Sequence, residues 1–141
     1  MRKKLFAVLM ILTLALTACG GDKYNTVFTE VNTLEGVTMT LKEGTLRSSR
    51  ATFVIANHSD EDVFLDPIEF HLEKKTRDGI WEENIGTRVS EWKRESTETI
   101  SAGTAIEREV DWKGLCGGIN SGEYRVVLII NDQPVACEFE K

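Results

Sequence analysis

The sequence is poor in the residues from which catalytic sites are usually built. It contains only two histidines among 141 residues. His58 stands beside Ser59 and Asp60 in a turn-rich stretch, but a catalytic triad needs a base that the fold brings to both partners, and adjacent turn residues rarely achieve this. His71 lies in a segment of alternating apolar residues and is expected to point to the opposite, solvent-facing side of its strand. We therefore predict no catalytic residue and expect that the protein is not an enzyme.

Cofactor motifs are lacking as well. The pair Gly117-Gly118 precedes a predicted strand instead of a helix, so it lacks the helix dipole that phosphate-binding loops use. The carboxylates that could serve in acid–base chemistry all occupy positions expected to face solvent. Cys116 and Cys137 have no histidine nearby and do not show the spacing of a zinc site. The sequence therefore predicts no cofactor.

No apolar run is long enough to cross a membrane. The longest, Leu5–Leu16, has 12 residues with Thr13 as a polar member, whereas a helix needs about 20 residues to span the bilayer core. It follows the basic residues 2–4 and ends in Leu16-Thr17-Ala18-Cys19, an arrangement typical of a signal peptide. This Leu-x-Ala-Cys pattern resembles the lipobox of bacterial lipoproteins, which implies cleavage before Cys19 and attachment of acyl chains such as palmitate to its thiol. An ordinary secretory signal that precedes a cysteine by chance is the alternative.

Positive charge is scarce once the signal peptide is removed. Residues 1–18 hold three of the 17 basic residues and none of the 23 acidic ones, so the remaining 123 residues carry a net charge of −9. An acidic body argues against nucleic acid as a partner and against adhesion to anionic lipid head groups. We expect a signal peptide over 1–18, a lipidated tether over 19–35 and one domain over 36–141. Within the tether, residues 24–35 form either a linker or a first edge strand.

The domain alternates apolar and polar residues with a period of two, which is typical of half-buried strands. The alternating segments are 37–41, 51–55, 63–65, 68–72, 80–81, 106–112, 124–130 and 135–139. The segment 124–130 also has the apolar Val127 and Ile129 on its second face, so we expect it to be a central strand. No segment shows a helical period. About seven short strands separated by turn residues predict an all-β protein, a β-sandwich.

The end of the chain contains a tryptophan strand, a glycine–tyrosine strand and a closing acidic–aromatic strand in succession. These motifs are Trp112-Lys113-Gly114-Leu115-Cys116-Gly117, Gly122-Glu123-Tyr124-Arg125 and Val135-Ala136-Cys137-Glu138-Phe139-Glu140. Together with Gly36–Leu41 and the stretch from Phe70 to Trp81, they resemble the bacterial immunoglobulin-like domains of Gram-positive exported proteins. The resemblance covers residues 36 to 141. It implies an immunoglobulin-like β-sandwich and, since the motifs are structural, a binding or structural module.

Two departures from that family concern cysteines. Cys116 stands where the family usually has tyrosine, and Cys137 where it has alanine or another small residue. A disulfide between the two would explain the paired change, and disulfides are common outside the cytoplasm. The alternative is that both are reduced, small buried residues. Counting register across the final hairpin places Cys137 opposite Leu128, so a bridge needs the loop 113–122 to fold back over the last strand.

Two further segments are candidates for binding. Asp60, Asp62 and Asp66 crowd one loop, and calcium favours such oxygen ligands. They are weak metal candidates, because the spacing does not match an EF-hand and a solvated turn rich in aspartate is the favoured explanation.

A tryptophan among charges is the second candidate. Trp92 lies within the charged run Glu91–Glu98 and is either packed beneath its loop or presented to a partner, since buried aromatic residues anchor interfaces. Trp81 and Trp112 occupy strand positions and are expected in the core.

Taken together, the patterns favour a lipid-anchored protein of the cell membrane that faces outside the cytoplasm. Its domain is expected to be a non-enzymatic module that contacts an unknown protein or cell-wall component. The alternative is a small-ligand or metal-sensing lipoprotein, accessory to a transporter or receptor, with the acidic loop 58–66 as its site.

Overall fold

The computed structural model describes residues 24–87 and 97–141. Nine strands and one short helix lie within these residues. They are β1 (Tyr24–Asn25), β2 (Val37–Leu41), β3 (Arg50–Asn57), β4 (Val63–Lys75), β5 (Trp81–Thr87), β6 (Glu98–Ile100), β7 (Ala105–Asp111), α1 (Lys113–Cys116), β8 (Glu123–Ile130) and β9 (Gln133–Glu140). In the same part of the chain, no helix has the length and apolar character needed to cross a membrane.

The strands form two antiparallel sheets. The larger has the order β1-β5-β4-β8-β9, with β6 also pairing with β4, and the smaller has the order β2-β3-β7. The inner faces of both sheets contribute to one hydrophobic core. The structure therefore confirms the predicted all-β sandwich.

Alternating residues of both sheets build the core. Phe53 of β3, in the smaller sheet, and Leu72 of β4 and Val126 of β8, in the larger, all belong to this core and are fully buried. Trp112, which follows β7, is also fully buried, and its indole nitrogen donates to the carbonyl of Ser48 at 2.8 Å. This bond satisfies the polar edge of a ring whose remaining surface is apolar.

Strand β4 is longer than the alternation predicts. The sequence indicates two strands, 63–65 and 68–72, interrupted at Asp66, whereas the structure has one strand of 13 residues with an irregularity between Leu65 and Phe70. At this irregularity the Asp66 carboxylate accepts hydrogen bonds at 2.9 Å from the next two free backbone N–H groups, those of residues 68 and 69. The side chain thus satisfies backbone donors where the ladder is interrupted, and β4 resumes its pairing beyond it.

The β8–β9 hairpin has a tighter turn than the register count assumes. Asn131 and Asp132 have φ values of 50° and 60°, as a two-residue type I′ turn requires. Pairing therefore starts at Ile130 with Gln133, which places Cys137 opposite Val126. The predicted position opposite Leu128 is wrong, because that count gave the turn two more residues.

The chain between β1 and β2 crosses the outer face of the larger sheet. At the β5 edge the Thr26 amide donates to the carbonyl of Trp81 at 3.1 Å, and at the β9 edge the Asn32 amide donates to Pro134 at 2.9 Å. The Asn32 side chain also accepts a bond of 2.8 Å from the Ala136 amide. We call residues 26–32 the strap, because they connect opposite edges of the sheet across its outer face.

Candidate functional site

Five ionisable residues gather on the outer face of the larger sheet beneath the strap. We call Glu69, His71, Glu73, Glu83 and Arg125 the outer-face cluster. Alternate residues of β4 point to the same side of the sheet, which brings together the three members of the cluster that lie on this strand. In the ladder, Glu73 pairs with Glu83 of β5 on one side and with Arg125 of β8 on the other. The cluster is therefore a direct consequence of strand register.

The pair formed by Glu73 and Arg125 is almost completely buried. Their side chains are 0% and 7% exposed, and Arg125 Nε donates to Glu73 Oε2. The guanidinium also donates from Nη2 to the Thr26 hydroxyl of the strap at 3.2 Å and stacks 4.6 Å from the centre of the Trp81 ring. Glu73 Oε1 is buried without a hydrogen-bond partner among the described residues. The pair thus joins three strands and the strap.

His71 is buried between two carboxylates. Its Nδ1 lies 2.5 Å from Glu83 Oε1 and its Nε2 lies 3.0 Å from Glu69 Oε1, and its side chain is only 1% exposed. The ring of Phe28 in the strap meets the imidazole edge-on, at a centroid distance of 4.8 Å. The imidazole therefore contacts a carboxylate through each of its nitrogens and an aromatic ring of the strap.

These contacts correct three sequence-based expectations. His71 does lie on the face opposite the apolar residues, but that face is covered by the strap, so its predicted exposure is wrong. Glu73 is buried for the same reason. Trp81 was expected in the core but lies half-buried on the outer face, under Arg125. The apolar Val127, on the same face, was the signal in the sequence that this side of the sheet is covered.

The outer-face cluster can bury charge and bind protons, but the strap covers it. Its hydrogen bonds join its own members and the strap. Among the described residues, no group of three or more histidine, cysteine, aspartate or glutamate side chains has the arrangement needed to hold a metal ion. The geometry is that of a closed structural site.

The acidic loop does not bring its three candidates together as metal ligands. Asp66 accepts the backbone bonds within β4 described above, and Asp62 accepts a bond of 2.9 Å from the Ala102 amide. Asp60 is exposed. Asp62 and Asp66 line an open groove of about 570 Å³, together with Phe64. The loop carboxylates are thus partly occupied in stabilising turns.

The structure contains both cysteines as free thiols, so the predicted disulfide is not formed in it. Cys116 is exposed at the end of α1, whereas Cys137 is buried in β9. Burial raises the pKa of the Cys137 thiol and the nearby Glu138 charge adds to this, while a hydrogen bond with the backbone of Leu41 opposes it. Desolvation also raises the pKa of Cys116.

Two other predicted site residues, Cys19 and Trp92, lie outside the described residues. Their roles in lipid attachment and partner contact stay predictions.

Removing the cation of the buried pair is expected to destabilise the domain strongly. In Arg125→Met the buried Glu73 carboxylate loses its counter-ion, so we expect the free energy of unfolding to fall by about 3–5 kcal/mol. The matched control is Lys42→Met, which breaks an ion pair with side chains 45% and 55% exposed and is expected to cost at most about 1 kcal/mol. Urea unfolding followed by tryptophan fluorescence measures both. Equal losses in the two variants would contradict the role of burial.

The two thiols are expected to differ in reactivity. With Cys19→Ser to remove the third thiol, a thiol reagent should modify Cys116 in the folded chain and Cys137 only after unfolding, without any reductant. An unfolded chain that yields no reactive thiol would show that a disulfide forms.

Stability should also depend on the Cys137 proton at alkaline pH. Because burial raises the pKa of Cys137 above its ordinary value of 9.0, the folded state retains this proton to higher pH than the unfolded chain does. The contribution of this thiol is therefore complete below that value and is lost as pH rises through the folded-state value. Denaturant unfolding at several alkaline pH values should show a shallower loss of stability for Cys137→Ala than for Cys116→Ala. Identical slopes would argue against a buried thiol.

Comparison with known proteins shows to which family the chain belongs. The model of the bacterial Ig-like domain matches residues 33–140, whereas no curated protein matches the chain. Among solved structures, the chain is similar to the Pseudomonas fluorescens alkylpurine DNA glycosylase AlkC bound to DNA containing an abasic site analog, with 13% identity and a TM-score of 0.41. That match covers 74% of this chain and 30% of the glycosylase chain, and so weak a likeness carries no argument about function. Since the family match spans most of the sequence and agrees with the two-sheet fold, the protein belongs to the bacterial Ig-like domain family.

Proposed function

We propose that this protein is a lipoprotein of the bacterial cell membrane that displays a non-enzymatic Ig-like module outside the cytoplasm. In this proposal the chain is cleaved before Cys19, lipid is attached to that cysteine, and the domain binds or supports another component of the cell envelope. The observation that carries the proposal is the order of the segments at the N-terminus. A basic segment, an apolar run and small residues lead to Cys19, and the first strand begins at Tyr24 shortly after it.

The short spacing supports a membrane-proximal position. Five residues, 19–23, precede β1, and an extended chain of that length reaches at most about 18 Å. Because β1 and the strap then tie the following residues to the larger sheet, only residues 19–23 lie between the lipid and the sheet while the strap is closed. A lipid on Cys19 would therefore hold the domain close to the bilayer surface, at the end of a short and polar segment.

The proposal that the module is not an enzyme rests on the contacts of the two histidines. The outer-face cluster, which contains one of the two histidines, is closed by the strap and its groups bond one another. The other histidine, His58, lies 3.2 Å from the Thr38 hydroxyl through its Nε2. His71 is thus covered, whereas acyl-transfer chemistry needs a histidine and a nucleophile that a substrate can reach.

For a binding role, we propose the segment between β5 and β6 as the contact and Trp92 as its anchor. This segment joins two strands that both pair with β4. Binding residues are often carried by loops on such a scaffold, and tryptophan is enriched among the residues that dominate interface energies. The partner is a protein or a cell-wall component.

Lipid attachment is expected to depend on Cys19 alone. Cells fed a radiolabelled or alkyne-tagged palmitate should label the wild-type chain and Cys116→Ala equally, whereas Cys19→Ala should lose the label and leave the membrane fraction. The reason is that only a thiol placed directly after the cleavage site receives diacylglycerol in this arrangement. A wild-type chain that is secreted without label would overturn the proposed anchoring.

Partner contact is expected to require the Trp92 ring. Crosslinking in intact cells, followed by pull-down through a C-terminal tag, should recover a specific protein with the wild-type chain. Trp92→Ala should reduce this recovery at least tenfold and Trp92→Phe, which keeps an aromatic ring, by less. Thermal unfolding of each variant checks that the domain is intact. Undiminished recovery with Trp92→Ala would exclude this residue as the anchor, and recovery of no protein would leave the cell wall as the partner.

A further inference from the structure

The position of His71 imposes a condition on its protonation. Carboxylate oxygens lie opposite both ring nitrogens, at 2.5 Å from Nδ1 and 3.0 Å from Nε2. A neutral imidazole has one N–H donor and one lone pair, whereas the imidazolium has two donors. Two ionised carboxylates therefore accept from both nitrogens only if the ring carries its second proton. Without it, one carboxylate oxygen faces a lone pair at hydrogen-bond distance.

The surrounding charges favour the same state. Within residues 24–87 and 97–141, the charged groups on the faces packed against His71 are Glu69 and Glu73 of β4, Glu83 of β5 and Arg125 of β8. Val127 of β8, directly opposite in register, is apolar, and residues 26–29 of the strap carry no titratable side chain. With a neutral imidazole, three carboxylates would share one guanidinium in a site that is largely removed from water. The second proton of His71 reduces this imbalance.

The strap depends on this arrangement. Phe28 packs edge-on against the imidazole, and the neighbouring Thr26 accepts from the guanidinium of the same cluster. Apart from these contacts, the strap is held near its two ends, by β1 and the Trp81 carbonyl on one side and by Asn32 on the other. The middle of the strap therefore rests on a surface whose charge balance depends on one proton.

We propose that His71 is a proton-dependent latch for the strap: its imidazolium, bonded to both Glu69 and Glu83, keeps the strap closed, and loss of one proton to water opens it. The state that binds more protons is favoured at lower pH, so the closed strap predominates at lower pH and the open one as pH rises. Histidine is the side chain that ordinarily changes charge between about pH 5 and 8.

Opening would have a consequence for the lipid-anchored form, and this step alone rests on the proposed function. If the bonds of β1, Thr26 and Asn32 at the two ends of the strap break as well, release of residues 24–32 would add nine residues to the tether, or roughly 30 Å of reach in an extended chain. It would also expose the buried charges and Val127 on the outer face. The latch would thus link external pH to the distance between the domain and the membrane.

The experiment measures the protonation of His71 and the opening of the strap on the same sample. The full-length chain in detergent is labelled with ¹⁵N-histidine, which gives signals from only two histidines. Ring ¹⁵N shifts distinguish an imidazolium from a neutral tautomer. Backbone amide exchange, converted to protection factors at each pH, reports opening of the strap at its hydrogen-bonded amides, those of Thr26, Phe28 and Asn32. We expect both His71 nitrogens to be protonated where the strap is protected. Strap protection should fall at least tenfold as that proton is lost, while β8 amides keep theirs.

Variants separate the latch from a merely structural contact. His58→Asn removes the only other histidine and should leave the pH dependence of the strap unchanged, whereas His71→Asn should abolish it. Glu83→Gln supplies an amide that donates to a neutral ring, so the strap of this variant should stay protected at the pH that opens the wild type. Because Glu83→Gln keeps His71, it decides the question even if His71→Asn does not fold. A His71 ring that is neutral while the strap is protected, or a Glu83→Gln strap that opens at the wild-type pH, would overturn the proposal.

Discussion

The antiparallel pairing of β4 with β8 is the interaction on which the rest of the structure depends. It places Leu72 opposite Val126 on the inner face of the larger sheet and Glu73 opposite Arg125 on the outer face. The smaller sheet covers the inner side, where the core forms. The outer side carries Val127 together with the charged residues and also has to be covered, which the strap does. The central strands of this antiparallel sheet are consequently buried on both faces, although such sheets commonly leave one face to solvent.

Burying the outer face removes several charges from water, and the fold compensates for this through pairing. Glu73 and Arg125 neutralise each other, although Glu73 Oε1 has no hydrogen-bond partner within the part of the chain that the structure describes. A buried ion pair is weak support for stability as such, because apolar residues of similar size often serve as well. The pair helps instead to fix the register of the two strands, because a slip of one residue between β4 and β8 would turn Glu73 toward the core. The pair and the strap also depend on each other, since Arg125 binds Thr26 and the strap in turn excludes water from the pair.

Much of the architecture could be predicted from local patterns, whereas the candidate site could not. The period of two predicts the strands near 37–41, 51–55 and 124–130 and the sandwich that they build, because side chains alternate between faces in any strand. The same pattern assigned His71 correctly to the outer face but could not say what lies above that face. The segment that covers it is about forty residues away in sequence, and its contacts arise only from the tertiary fold. The two cysteines show the same limit, since spacing along the chain does not set the distance between a thiol on α1 and one inside β9.

The amino-acid sequence by itself determined the features that short stretches encode. These are the strand periodicity, the N-terminal pattern that ends at Cys19, and the motifs by which the chain resembles its family. Each depends on neighbouring residues, so no knowledge of the fold is needed to recognise it. Only the tertiary structure decided that the outer face is covered, that Glu73 and Arg125 form a buried pair, and that His71 lies between two carboxylates. Burial and charge pairing depend on which distant segments meet, and a single strand carries no information about the surface that will be packed against it.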